Sequence, residues 1–305
     1  MRAKLISELF GTFIWINRSI LYFSYIRSMK RFIMIVVLGV LMGCASAPKS
    51  VLPKVTPNSP EAAAIETQIR SAAEKPEGEL TTMDLDKVTM INLESSGISD
   101  LGELKKLKQL KALYLRDNSV TDINALRGLT KLEYLQLSSN QLVDADALGE
   151  LRELEWLDLV YNNLTDTSAL ATLKKLKVLN LAGQCPLQSG PRLTDVNALK
   201  GLTQLEELNL WGNRIRDVSA LKGLSQLKTL HLFNNRIKDV NALKGLTQLM
   251  ILGLQNNQIS DVSALKGLIH LVYLRLDGNP NLTKAQITEL QNALPQCRIY
   301  SSFKK

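Results

Sequence analysis

Leu227–Gln248 reads LKTLHLFNNRIKDVNALKGLTQ. Leu230 and Leu232 alternate with Thr229, His231 and Phe233, and an alternation of period two makes a short strand with one buried and one open face. The second half, from Ile237 to Leu246, is too short for a long helix and is expected to form a 3-10 or irregular turn on the opposite side. One such unit cannot close a core by itself and must stack on copies of its own kind.

The copies are present. Units repeat with a period of 22 from Val88, Leu110, Leu132, Leu154, Leu176, Leu205, Leu227, Leu249 and Leu271. Seven of them match L-x-x-L-x-L-x-x-N-x-I-x-D-V-x-A-L-K-G-L-x-x almost in full, so the repeat overrides the two domains that 305 residues alone would suggest. The unit resembles the leucine-rich repeat, in the 22-residue form found in internalins and in a eukaryotic phosphatase-regulator family. The expected fold is an α/β solenoid, or horseshoe, with a parallel sheet on the concave face and 3-10 or irregular turns on the convex face. Unit positions 4 and 6 are expected to point inward, and positions 3, 5, 7 and 8 to face the concave side.

Two polar columns run through the units. Asn118, Asn140, Asn162, Asn213, Asn235, Asn257 and Asn279 stand at the strand exit, where an amide can bond backbone groups without a ladder partner; Ser96 and Gln184 break the column. Asp100, Asp122, Asp144, Asp166, Asp195, Asp217, Asp239 and Asp261 each precede a turn. One carboxylate per unit is explained by capping of free N–H groups, without a metal ridge. Lys105, Arg127, Lys200, Lys222, Lys244 and Lys266 are expected to form a solvated convex face.

The boundaries read as follows. Residues 88–279 hold nine repeats, 61–87 an N-terminal cap and 280–305 a C-terminal cap. Ser59-Pro60-Glu61 has the form of a helix start with Pro at its first position, with Ile65, Ile69 and Ala72 behind it. Thr283 to Gln286 is a capping-box pattern opening a helix to about Leu294, and Cys297–Tyr300 is expected to add a last strand. Residues 45–60, rich in Pro and Ser, read as an extended tether. Residues 29–44 form a signal peptide: Met29-Lys30-Arg31, an apolar run from Phe32 to Met42, then Gly43-Cys44. Leu41-Met42-Gly43-Cys44 resembles the lipobox of bacterial lipoproteins, which implies acylation of Cys44; Ala45 after it resembles the outer-membrane type. Residues 1–28 are either an extension ahead of a start at Met29 or a further hydrophobic segment.

Charge adds little about partners. Of the net +8, residues 1–44 carry +5 and the remainder +3. Concave positions 3, 5 and 7 carry Glu94, Asp158, Glu207 and Asp277 against Arg116 and Arg275, a net −2. Nucleic acid needs clustered positive charge and is not expected. The chain has two histidines, His231 and His270, and no nucleophile, phosphate-loop or paired Cys-x-x-Cys motif. No catalytic residue, cofactor or metal site is assigned, and the chain reads as a non-enzyme. Cys185 and Cys297 lie four to five repeats apart, roughly 20 Å at about 4.8 Å per strand, too far for a disulfide.

Aromatic residues locate the binding face. Residues 45–305 hold nine, and seven of them fall on the 36 of 261 positions expected on the concave side: Tyr114, Tyr134, Trp156, Tyr161, Trp211, Phe233 and Tyr273. Rigid amphipathic rings dominate binding hot spots. The alternative, a packed ladder that stiffens the sheet, suits Tyr134, Trp156 and Tyr273 better than Trp211 and Phe233. The fifth unit carries seven extra residues within 184–192 and exposes only Val178, Asn180 and Ala182. A low floor is therefore expected between Trp156 and Trp211, with Asp158, Asn209 and His231 as polar contacts; Arg116 and Arg275 are further candidates on the concave face. The residues point to an envelope-tethered, non-catalytic protein, lipid-anchored at the outer membrane, that binds a protein partner through this face. Glycan or peptidoglycan binding, and an enzyme-regulator role by resemblance to the phosphatase-regulator branch, are the alternatives. Oligomeric state is not fixed by the sequence.

Overall fold

A computed structural model describes residues 59–183 and 192–303, all within the unit Lys49–Lys305. The leader, Cys44, most of the tether and residues 184–191, including Cys185, lie outside the described residues.

Each unit contributes one three-residue strand: β1 Met90–Asn92, β2 Ala112–Tyr114, β3 Tyr134–Gln136, β4 Trp156–Asp158, β5 Val178–Asn180, β6 Glu207–Asn209, β7 Thr229–His231, β8 Ile251–Gly253, β9 Tyr273–Arg275, and then β10 Arg298–Tyr300. They form one parallel sheet in strict chain order. Equivalent residues pair across every junction, Leu113 with Leu135 and Leu135 with Leu157. The insertion does not disturb this register, because Leu179 still pairs with Leu208. Every strand carries its apolar set on one face, and a slip of one residue would turn those leucines to solvent. Leu157, Leu159, Leu208 and Leu210 are accordingly buried, and the 3-10 turns supply the opposite wall through residues such as Leu199, Leu221 and Leu243. Position 2 lines one margin of the sheet with ion pairs between neighbouring strands, Lys111–Glu133, Lys177–Glu155 and Lys228–Glu206. These are solvent-exposed and add little stability.

The Asn column seals the strand exits. Asn162 Nδ2 donates to the carbonyls of Leu137 and Leu159, and its Oδ1 accepts the Leu142 N–H. Asn140, Asn235, Asn257 and Asn279 repeat the pattern. Asn213 keeps both donated bonds, but its Oδ1 is buried without a donor, in the unit that follows the insertion. The Asp column bonds the N–H two residues ahead, as in Asp217 to Ser219 and Asp239 to Asn241, both at 2.7 Å. The carboxylate thus sits one residue before the cap position and closes an Asx turn onto the first residue of the 3-10 helix.

Two ends of the core are covered. Helix α1, Pro60–Ala72, starts at Ser59, whose hydroxyl accepts the Ala62 N–H. It buries Ile65, Ile69 and Ala73, whereas Ala72 is exposed: a spacing of four fixes the buried face. Glu61 on α1 accepts the N–H groups of Ser99 and Asp100, fastening the helix to the first turn. A one-turn helix α2, Thr82–Leu85, follows with a Thr81/Asp84 capping box. Helix α3, Lys284–Ala293, has the Thr283/Gln286 box, buries Leu290, and is tied to the eighth turn by Gln286 Nε2 donating to Ser260 O. No helix among the described residues is long and apolar enough to cross a membrane.

Candidate functional site

Positions 3, 5 and 7 of each unit point to the concave face, because positions 4 and 6 are turned into the core. Position 8 is different. All nine residues there, Ser95, Asp117, Ser139, Tyr161, Gly183, Gly212, Asn234, Asn256 and Gly278, have positive φ. Position 8 is thus the left-handed bend at the strand exit rather than a fourth concave position. Gly, Asn, Asp and Ser are natural there; a tyrosine is not.

The concave rings gather in three groups. In the first, Tyr114 and Tyr134 have centroids 4.9 Å apart, and Tyr134 and Trp156 stack at 4.0 Å with planes 8° from parallel. In-register strands about 4.8 Å apart place rings at one unit position face to face. The stack covers Tyr134, which is 6% exposed, and leaves Trp156 half-buried at its end. In the second group Trp211 and Phe233 stack at 5.3 Å, Tyr161 meets Trp211 edge-on at 5.9 Å, and His231 meets Phe233 edge-on at 6.0 Å. Tyr161 reaches this group by lying across Gly183, where an added Cβ would fall 2.7 Å from the ring. It therefore roofs the exit end of the low floor in the fifth unit. The third group, Tyr273 against Tyr300 at 5.0 Å with the Arg275–Asp277 ion pair beside it, stands apart at the C-terminal end.

Between the first two groups the floor is polar. Asp158 is 8% exposed, and its Oδ1 accepts the Val160 N–H at 3.0 Å. Burial raises its pKa to about 6, against the opposing pulls of that bond, of the Ser138 side chain and of the Arg116 charge. Arg116 itself pairs with Asp117, and no Lys or Arg among the described residues reaches ion-pair distance of Asp158. On either side, Gln136 Oε1 and Asn180 Oδ1 are buried without a hydrogen-bond donor. Asn209 Oδ1 accepts the Trp211 N–H. Burial lowers the His231 pKa to about 4, so the imidazole is neutral near pH 7. Its Nδ1 lies over Gly253, the strand residue that leaves room for it.

Of the sequence-derived positions, Tyr114, Tyr134, Trp156 and Asp158 come together, as do Tyr161, Trp211, His231 and Phe233. Asn209 lies between them, Arg116 stands at one margin, and Tyr273 and Arg275 belong to the separate end group. The seven extra residues within 184–192 fall almost wholly outside the described residues; Arg192 Nη1 donates to Gly212 O. Tyr300 and Gln136 were not singled out as site residues from the sequence, and Asn180 was read only as a small residue of the low floor. The last two were legible as strand position 5 beside Asp158, but the unmet hydrogen bonds emerge only from packing. Elsewhere, a cavity of about 680 Å³ on the turn side is lined by Arg216, Lys222, Arg236 and Lys238 together with Asp217 and Asp239. Among the described residues no group of three or more His, Cys, Asp and Glu could hold a metal ion. Cys297 is a buried free thiol, pushed up to about 11 by that burial.

These features define a leucine-rich-repeat protein. A family model described as "Leucine Rich repeats (2 copies)" matches residues 108–150 and 203–245. An internalin C2 from Listeria monocytogenes is 34% identical, with a TM-score of 0.64 over 68% of this chain and 90% of that one. The chain belongs to the internalin-like family of leucine-rich-repeat proteins. A leucine-rich-repeat protein of Leptospira interrogans shares the fold at 23% identity and a TM-score of 0.58, over 71% of this chain and 62% of that one. So does the ectodomain of a plant membrane receptor kinase from Arabidopsis thaliana, at 21% and 0.54, over 72% of this chain and 31% of that one. That ectodomain was solved in complex with Casparian strip integrity factor 2. No curated protein matches the sequence at a significant level. Leucine-rich-repeat proteins commonly act as non-catalytic binding scaffolds, and no catalytic family is indicated.

Proposed function

We propose that this chain is a lipid-anchored protein of the bacterial envelope, held through Cys44 at the outer membrane, that binds a protein partner through its concave face. The observation that carries the binding reading is the pair of ring groups flanking a polar floor. Trp156, Trp211 and Phe233 are each half-buried there, with ring area still open to solvent. Rigid rings around a partly desolvated centre have the composition of a binding hot spot. The anchor rests on the residues from Met29 to Ala45.

A crosslinking pulldown from cells and envelope fractions tests the binding reading, using the full chain in detergent beside a folded Trp156→Ala/Trp211→Ala variant. A protein captured by the wild type and lost from the variant supports it; equal capture by both rejects it. Glycan binding has one observation in its favour, the unpaired amide oxygens of Gln136 and Asn180 beside a stacked ring. Purified cell wall retained by the wild type alone would favour that reading. Intact-mass measurement of the extracted protein tests the anchor: an acylated N-terminus at Cys44 is expected, and an unacylated one contradicts it.

A further inference from the structure

Strand register brings three acceptors into one row across the concave floor. Gln136 on β3 and Asn180 on β5 flank Asp158 on β4 at unit position 5, each one strand spacing of about 4.8 Å from it. Asp158 is buried without a cation partner among the described residues, and the flanking amide oxygens are buried without donors. A buried ionisable group without a counter-ion is costly, and so is a buried acceptor without a donor. Within the described residues the Val160 N–H, the Ser138 side chain and the more distant Arg116 charge offset part of the cost at Asp158, but no cation pairs with it and no donor reaches the two amide oxygens. The concave positions of β3 and β5 and their exits carry no charged side chain: Tyr134, Gln136 and Ser138 on one side, Val178, Asn180 and Ala182 on the other. Arg116, whose charge acts on Asp158 from the exit of β2, is held by Asp117 and more than half exposed.

We infer that this floor is a receptor for one basic side chain, lysine or arginine, presented by the protein partner, with Asp158 as its counter-ion. Gln136 and Asn180 accept its remaining N–H groups, and the half-buried Trp156 ring at the end of the Tyr134 stack forms its wall. The inference rests on the concave-face reading above and adds the chemistry of what docks there. An ammonium or guanidinium group matches the row because it has only donors to offer, three or five of them. A sugar hydroxyl would bring as many acceptors as donors, and a carboxylate or phosphate would meet Asp158 as a like charge. A cation over the Trp156 ring also gains from its quadrupole.

A random-peptide display library selected against the full chain in detergent tests this. The selected peptides are then assayed on Asp158→Asn and on Trp156→Ala/Trp211→Ala. Asparagine keeps the shape and can still accept the Val160 N–H, so the first variant is expected to fold. Wild-type binders are expected to share a lysine or arginine. Replacing it by norleucine or citrulline, or testing Asp158→Asn, is expected to weaken binding about tenfold or more, the scale of a lost charge-assisted bond. Binding to the wild type is also expected to fall as pH drops from 7 to 5 and Asp158 takes up a proton, a dependence absent from Asp158→Asn. Binders without a basic residue, basic binders indifferent to Asp158→Asn, or no enriched peptide at all would overturn the inference. Binders that need the tryptophans but not Asp158 would overturn it and leave the concave-face reading standing. Binders indifferent to both variants would remove both.

Discussion

Asp158 carries the sharpest test at the level of single residues. Its pKa rises from an ordinary carboxylate value to about 6 because burial penalises the charged form. An acid whose folded pKa is raised takes up its proton more readily when folded. Its favourable contribution is therefore complete below about pH 4, is lost as pH rises through about 6, and leaves the fold destabilised at neutral pH. Asp158→Asn is expected to stabilise the protein at pH 7 by up to about 3 kcal/mol, and to change nothing at pH 3.5. Urea unfolding at the two pH values measures this, and equal effects at both would contradict it. Tyr161 is the second case. A bulky residue with φ of 54° is strained by about 1 kcal/mol or more, yet its ring spans Gly183 to reach Trp211. Tyr161→Asn is expected to shift stability by less than about 1 kcal/mol, since relieved strain offsets lost packing. It should nonetheless weaken capture of the partner, as read in the same pulldown. A large loss of stability with unchanged capture would make the ring a structural prop.

At the level of elements, the strands and turns were legible because one pattern sets both their position and their facing. Leu230 and Leu232 have one orientation compatible with a core, and the Asn and Asp columns follow from backbone groups that every unit leaves open. What could not be read was how neighbours settle on one another. Position 8 looks concave by alternation, but the strand has ended there and the chain turns left-handed. Tyr134 sits where a contact residue was expected, and its own neighbours cover it. The Asn column allows a graded test. Asn162 makes three principal bonds and is fully buried, whereas Asn213 makes two with an unmet Oδ1. Asn162→Ala is expected to cost about 3 kcal/mol, and Asn213→Ala about 1 kcal/mol less, because it loses one bond fewer. Denaturant midpoints compare the two; a larger loss at Asn213 would contradict this ranking.

Across the whole molecule, stability passes from unit to unit through nearest-neighbour contacts, so an end left open exposes its core to water. Ile69 on α1 is fully buried against the first unit. Ile69→Asp is expected to lower the unfolding temperature far more than Thr283→Ala, which removes a helix cap worth about 1 kcal/mol. Thermal unfolding followed by circular dichroism ranks them, and the reverse order would mean that α1 is dispensable. The same scaffold holds the two ring groups apart with an acidic, acceptor-rich floor between them, and that juxtaposition is the central claim about function. A photocrosslinking amino acid placed at Asn180 on the floor, and separately at Lys222 on the turn side, tests it in living cells. Concave docking predicts a discrete protein adduct from position 180 and none from 222. An adduct from 222 alone would place the partner on the basic turn side and contradict the claim.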